Sequence, residues 1–158
     1  MSEKEPKRES QPESFNVISR WEFKIGDNHY DIRKVVELAK DLPLEEIPTS
    51  SLEAMKEGEY WYDTNRNRIK LRDIFDLYDQ TNGDWESMIQ EKPEYAKHIK
   101  QIEESNLEDD PIVLYSSSEK FRLIDGLHRL TKAWLLDQET IQAQRFEKMP
   151  EAAIISEE

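Results

Sequence analysis

The chain contains no cysteine, only four glycines and no long apolar run. Without cysteine there are no disulfide bonds, no thiolate metal ligands and no cysteine nucleophile. No segment approaches the roughly 18 apolar residues of a membrane span, and residues 1–14 lack the hydrophobic core of a signal peptide. These absences predict a soluble, cytoplasmic protein that does not enter a membrane.

Negative charge is the most abundant chemical feature. Of 158 residues, 35 are Asp or Glu and 22 are Lys or Arg, which gives a net charge of −13. Non-specific nucleic-acid binding depends on cations that neutralise phosphates, so the composition argues against it without excluding a local contact. The one basic run contains Arg66, Arg68, Lys70 and Arg72. Either local ion pairs or a contact with phosphate or nucleic acid would explain that run.

The composition indicates one folded domain with polar ends. Residues 1–14 have no aliphatic side chain after Met1 and predict a disordered tail, and residues 151–158 predict a short acidic tail. Residues 15–150 contain the four tryptophans and the tyrosines, which supply material for a core. Helix and strand patterns both occur in this part, so we expect it to form an α+β domain.

Hydrophobic spacing predicts most of the early elements. Residues 21–25 alternate apolar and polar side chains, as in a half-buried strand. Asp31 is the predicted N-cap of a helix over residues 32–40. Residues 43–48, Pro-Leu-Glu-Glu-Ile-Pro, predict a short extended segment between two prolines.

Two longer helices are predicted over residues 69–78 and 94–106. The aromatic cluster Tyr60-Trp61-Tyr62 precedes the first helix, and packing in a core or an interface explains it better than stacking on a base. His98 lies in the second helix in polar surroundings and is predicted to be structural or exposed. The three histidines of the chain do not have the spacing of metal ligands, so zinc is not expected.

The last part of the chain predicts a hairpin, a helix and a strand. Residues 112–115 and 121–124 are short apolar segments around a small loop, which is typical of a β-hairpin. Asp125-Gly126 ends the second strand, residues 127–137 have helical spacing, and residues 140–146 alternate as in a strand.

The junction Asp125-Gly126-Leu127-His128-Arg129 is the strongest functional candidate. The first amides of a helix lack intrahelical partners, and with the helix dipole they favour an anion. Gly126 permits an unusual φ and a close approach, while His128 and Arg129 can donate hydrogen bonds to phosphate oxygens. We predict that the ligand-binding residues are Gly126, Leu127, His128 and Arg129. Asp125 and His128 are the candidate catalytic residues, and Asp125 is also the candidate metal ligand.

Helix capping is the simpler alternative for the same residues. Asp125 is a good N-cap, Gly126 is a good turn residue, and Arg129 could pair with a nearby glutamate. Because capping needs neither the histidine nor the arginine, ligand binding is the preferred interpretation.

The string Asp-Gly-Leu-His-Arg between a strand and a helix, together with Pro-Leu-Glu-Glu-Ile-Pro at residues 43–48, resembles the ParB/sulfiredoxin superfamily. The similarity is to its branch of ParB-like nucleases and free-serine kinases, and it covers about residues 42–146. This resemblance implies a small mixed sheet with helices packed on it. Leu127 replaces the cysteine of sulfiredoxins, which excludes their chemistry, and His128 replaces an arginine of the chromosome-partitioning members.

Two function classes follow from these observations. The resemblance implies a nucleotide- or phosphate-binding domain, with phosphoryl transfer or phosphodiester cleavage as its reaction and ATP, ADP or another nucleotide with Mg²⁺ as its cofactor. The alternative is a non-enzymatic acidic interaction protein that binds a basic protein partner or imitates the charge of DNA.

Overall fold

The computed structural model describes residues 15–19, 21–117 and 120–155. The predicted tail at residues 1–14 and the end of the acidic tail, residues 156–158, lie outside the described residues. Strands and α-helices occur together along the described chain, so the predicted α+β class is confirmed. None of the helices in these ranges is both long enough and apolar enough to cross a membrane.

The elements follow one another closely along the chain. The strands are β1 (Phe15–Ser19), β2 (Glu22–Ile25), β3 (Asn28–Asp31), β4 (Glu45–Pro48), β5 (Tyr60–Tyr62), β6 (Arg68–Lys70), β7 (Ile112–Ser117), β8 (Lys120–Asp125) and β9 (Thr140–Phe146). The α-helices are α1 (Ile32–Ala39), α2 (Met55–Gly58), α3 (Leu71–Gln80), α4 (Trp85–Glu91), α5 (Ala96–Glu103) and α6 (Leu127–Leu135). The chain divides into two compact units, each built from separated segments.

The first unit contains the described residues up to Leu44, Val113–Asp125 and those from Gln144 onward. Strands β1, β2 and β3 form an antiparallel meander, and β7 pairs with β8 as the predicted hairpin. Asp31 caps α1 as predicted, because its Oδ1 accepts a hydrogen bond from the Arg33 amide at 2.9 Å. The core of this unit consists of buried apolar residues from these elements and from the end of the chain: Phe23, Ile25, Tyr30, Val35, Ala39, Val113, Ile124, Phe146, Met149 and Ala153.

The second unit contains Glu45–Ile112 and Gly126–Ala143. Strand β4 pairs antiparallel with β9, with Ile47 opposite Ile141, and β5 pairs with β6. The main apolar cluster of this unit is formed by α3, α4, α5 and neighbouring segments: Ile69, Ile74, Leu77, Met88, Tyr95, Ile99 and Ile102. Tyr95, Ile99 and Ile102 face inward as expected from their spacing.

Three predicted helix boundaries are wrong. Ile69 belongs to β6, opposite Trp61, and α3 begins only at Leu71, because an Asp73 carboxylate oxygen accepts from the Lys70 amide at 3.2 Å. The helix expected over residues 94–106 is a short 3₁₀ turn followed by α5, which ends at Glu103. Helix α6 ends at Leu135 rather than residue 137, since Asp137 adopts the left-handed conformation with φ of 56°.

Helices α5 and α6 are tied together by side chains of α6. The Lys132 ammonium donates to the carbonyl oxygen of Glu103, the last residue of α5, at 2.7 Å, and to that of Ser105, two residues further on, at 2.9 Å. The indole Nε1 of Trp134 donates to the carbonyl oxygen of Thr49 at 3.3 Å. These bonds fix α6 within the second unit, and with it the helix start that carries the candidate site.

Candidate functional site

Among the residues that the structure describes, none caps the start of α6 with its side chain. Its N-cap is Gly126, with φ of 113° and ψ of 26°, and the first turn closes through the bond from the Leu130 amide to the Gly126 carbonyl at 2.9 Å. The amides of Leu127 and His128 have no hydrogen-bond acceptor in the described part of the chain. Asp125 is the last residue of β8, and Gly126 rather than Asp125 is the N-cap of α6.

The space beside Gly126 is filled by the protein itself. A Cβ atom at this position would lie 2.7 Å from Cγ2 of Ile112 and 3.1 Å from Nη2 of Arg129. The guanidinium of Arg129 is anchored there, because its Nη1 donates to the Pro111 carbonyl oxygen at 2.8 Å. The absence of a side chain at Gly126 therefore makes room for Ile112 and Arg129.

A chain of hydrogen bonds links the start of α6 to α5 and β5. Nε2 of His128 lies 3.0 Å from Nδ1 of His98, and Nε2 of His98 lies 3.0 Å from the Tyr62 carbonyl oxygen. A carbonyl oxygen only accepts, so His98 carries its proton on Nε2 and, when neutral, accepts at Nδ1. Nε2 of His128 must then donate. Its Nδ1 is left as a proton acceptor, without a partner among the described residues.

The indole of Trp61 lies flat beneath this histidine pair. Its ring centroid is 4.6 Å from that of His128 and 5.1 Å from that of His98, with interplanar angles of 12° and 18°. The two imidazoles are inclined by only 11°, and their centroids are 5.2 Å apart. With their nitrogens in hydrogen-bond contact, the imidazoles meet edge to edge and share the face of one indole.

Both histidines are held neutral. Burial is the main cause that lowers the pKa of His128 to about 4, and electrostatic repulsion by His98, Arg129 and Lys97 contributes in the same direction. Burial also lowers the pKa of His98, although its bond to the Tyr62 carbonyl opposes this effect. Both rings are therefore uncharged at neutral pH. At that pH each carries its single proton on Nε2, as the bond to the Tyr62 carbonyl requires.

This tautomer changes the role expected of His128. The sequence suggested that its ring donates to phosphate, but its single proton is already donated to His98. The ring offers a lone pair instead, which suits a proton acceptor in a reaction.

The predicted site residues fall in both units. Gly126, Leu127, His128 and Arg129 are half-buried at the start of α6, whereas Asp125 ends β8 opposite Val113 in the first unit. In the ranges that the structure describes, no three His, Asp or Glu side chains are grouped to hold a metal ion.

Sequence reasoning missed His98 and Trp61. His98 is 30 residues from its hydrogen-bond partner, and no local pattern connects the two. The alternation within Tyr60-Trp61-Tyr62 was the usable signal, because a three-residue strand directs Trp61 to the face opposite its neighbours. On that other face, the guanidinium of Arg68 lies 4.3 Å from the ring centroid of Tyr60, which accounts for one cation of the basic run.

Comparison with protein-family models, with curated proteins and with solved structures finds no match to this chain.

Proposed function

We propose that this protein binds a phosphate group at the start of α6, with a nucleotide as the leading ligand, and that it belongs to the ParB/sulfiredoxin-like fold. The observation that carries the proposal is a pair of amides at the positive end of a nine-residue helix, those of Leu127 and His128, for which the described residues provide no acceptor. Arg129 and Lys97 add positive charge nearby, in a chain whose net charge is −13.

Phosphoryl transfer or phosphodiester cleavage is the reaction that suits these groups. In either reaction an attacking hydroxyl or water loses a proton, and Nδ1 of His128 would accept it. A base with a pKa of about 4 is always unprotonated at pH 7 but is weak. A bound phosphate would raise that pKa, because its negative charge stabilises the imidazolium. The protein would then become more basic when its ligand is present.

Phosphate binding is expected to depend on Arg129. Replacing it with glutamine removes the charge but keeps hydrogen-bond donors, and we expect about a tenfold weaker affinity, since hydrogen bonds to a charged group contribute roughly 1.5–3 kcal/mol. Calorimetric titration with inorganic phosphate, ATP, ADP and CTP, each with and without Mg²⁺, measures this. A melting shift at saturating ligand provides a second measurement.

The matched control for this experiment is Arg145→Gln. Arg145 lies in the first unit, pairs with Glu147 at 3.1 Å and should leave the affinity unchanged. If none of the four ligands binds the wild-type protein, or if both variants weaken binding equally, the proposal is wrong. Incubation with single- and double-stranded DNA and Mg²⁺ or Mn²⁺ then distinguishes cleavage from transfer.

An acidic cleft in the second unit favours a second candidate function, the binding of a basic partner. The cleft has a volume of about 550 Å³, and four carboxylates line it: Glu46, Glu103, Glu104 and Glu108. Lys132 is the one cation among the described residues that line the cleft, and it donates to two backbone carbonyls. The lining therefore keeps an excess of negative charge that a lysine-rich segment could neutralise.

Binding of a lysine-rich peptide is expected to depend on the cleft and on salt. The double variant Glu103→Gln, Glu104→Gln should weaken such binding several-fold at low ionic strength, and the difference should shrink at 0.5 M salt because exposed charges are screened. The double variant Glu37→Gln, Glu147→Gln removes the same charge from exposed positions in the first unit. Equal losses in the two double variants would indicate net charge alone and would contradict a specific cleft.

A further inference from the structure

We propose that His98 is a positioning residue that fixes the proton of His128 on Nε2, so that Nδ1 of His128 is the atom that takes a proton from the substrate. The reaction at Nδ1 rests on the proposed function, whereas the arrangement of protons does not. The substrate class that this implies is a nucleophile with a removable O–H proton, either an alcohol or water.

The direction of the hydrogen-bond chain is set at its far end. The Tyr62 carbonyl belongs to β5, which pairs with β6 from Tyr60 to Tyr62, so the acceptor is held by a strand. His98 is held by α5, whose next residue, Ile99, is fully buried. Because the backbone of both partners is fixed, the proton on His98 Nε2 has one acceptor, and the order of donors and acceptors follows from it.

Packing against Trp61 keeps the two imidazole rings in their present orientations. Rotating either ring by 180° would place a carbon where a nitrogen now forms the bond between His98 and His128. Each ring lies nearly parallel to the indole, so intermediate angles would drive a ring edge into Trp61. Packing against a flat surface therefore opposes the rotation that would exchange the nitrogen atoms.

The proton that leaves the substrate is taken up by the His98–His128 pair. As the substrate oxygen attacks, its O–H bond breaks, the electron pair stays on oxygen, and a new N–H bond forms at Nδ1 of His128. The resulting imidazolium still donates from Nε2 to His98. His98 cannot pass a proton onward to another group, because its own Nε2–H faces a carbonyl oxygen, so the histidine pair holds the added proton until a leaving group takes it.

A shared proton explains the pair better than a shared metal ion. The two rings are nearly coplanar, and their nitrogens face each other at 3.0 Å. Ligands of one metal ion would direct their lone pairs at a common point, and no third ligand joins them among the described residues.

Nuclear magnetic resonance of the ligand-free, ¹⁵N-labelled full chain at pH 7 tests the proposal. Two-bond ¹H–¹⁵N correlations should show protonated Nε2 in both histidines, with an unprotonated Nδ1. A scalar coupling across the hydrogen bond should connect Nδ1 of His98 to Nε2 of His128. His98→Phe should abolish that coupling and give a tautomer mixture at His128, since the phenyl ring keeps the packing on Trp61 but offers no acceptor.

Two further variants separate positioning from general structure. His98→Asn restores an acceptor oxygen near the place of Nδ1, so His128 should return to the Nε2–H tautomer without the nitrogen–nitrogen coupling. His29→Phe is the matched control, because His29 bonds Glu22 in the first unit and should leave His128 unchanged. The amide spectrum of each variant reports whether it remains folded.

Three results would overturn the inference. They are an Nδ1–H tautomer of His128 in the wild-type protein, a His128 tautomer that His98→Phe does not change, and tight binding of Zn²⁺ by the histidine pair. None of these measurements uses phosphate. Failure of the proton arrangement is therefore distinguishable from failure of phosphate binding.

Discussion

Replacing Gly126 with alanine is expected to destabilise the protein by about 3 kcal/mol. The residue has φ of 113°, where a side chain is strained by roughly 1–2 kcal/mol. The new Cβ would also lie 2.7 Å from Cγ2 and 3.0 Å from Cβ of Ile112, which is fully buried. These atoms belong to the rigid part of a branched side chain, so the backbone must shift, and overpacking of this kind costs about 1–3 kcal/mol. Urea denaturation measures the difference.

Gly58→Ala is the control for this substitution. Gly58 is the last residue of α2, and no atom of the described segments lies within 4 Å of the position that its Cβ would take. Alanine should there be neutral or slightly stabilising, because it lowers the entropy of the unfolded chain. If Gly126→Ala lowers the free energy of unfolding by less than about 1 kcal/mol, the start of α6 rearranges easily.

Acidification from pH 7 to pH 5 is expected to remove about 2 kcal/mol of stability through His128 alone. Its pKa is about 4 in the folded protein, against 6.5 for the unperturbed group. Between these values the unfolded state binds a proton that the folded state does not. The folded state therefore loses stability as the pH falls from about 6.5 towards 4, and no more is lost below that range.

The measurement compares urea denaturation of the wild-type protein and of His128→Asn at both pH values. The variant has nothing to titrate at this position, so its loss between pH 7 and pH 5 should be about 2 kcal/mol smaller. The carboxylates are the same in both proteins, so their contributions to the pH dependence of stability cancel in the comparison. Equal losses in the two proteins would mean that the imidazolium of His128 is accommodated in the folded state.

Much of the fold could be predicted from local patterns. Strand β9 has the predicted bounds, the hairpin of β7 and β8 is present, and Asp31 caps α1. Each of these elements follows from neighbours in sequence, such as an alternation or an N-cap. Strand β3, Asn-His-Tyr-Asp, gave no such signal, because only Tyr30 in it is buried and its pairing with β2 supplies the order.

One part of the candidate site could also be predicted from local sequence, and another part could not. The helix start at residues 126–129 could be predicted, because a glycine at the end of a strand and helical spacing after it are local features. The partners of its side chains could not. Arg129 reaches the Pro111 carbonyl, and His128 reaches His98, only because separate segments pack together. The direction of the His128 proton depends in turn on Tyr62, a third segment.

The first unit is assembled from three separated stretches of chain, and the second from two. Neither can be excised as one continuous fragment for expression or grafting. Phe146, Met149 and Ala153 belong to the apolar cluster of the first unit, which also contains Phe23. During synthesis, this apolar cluster can therefore become complete only after the ribosome has added residues near 153.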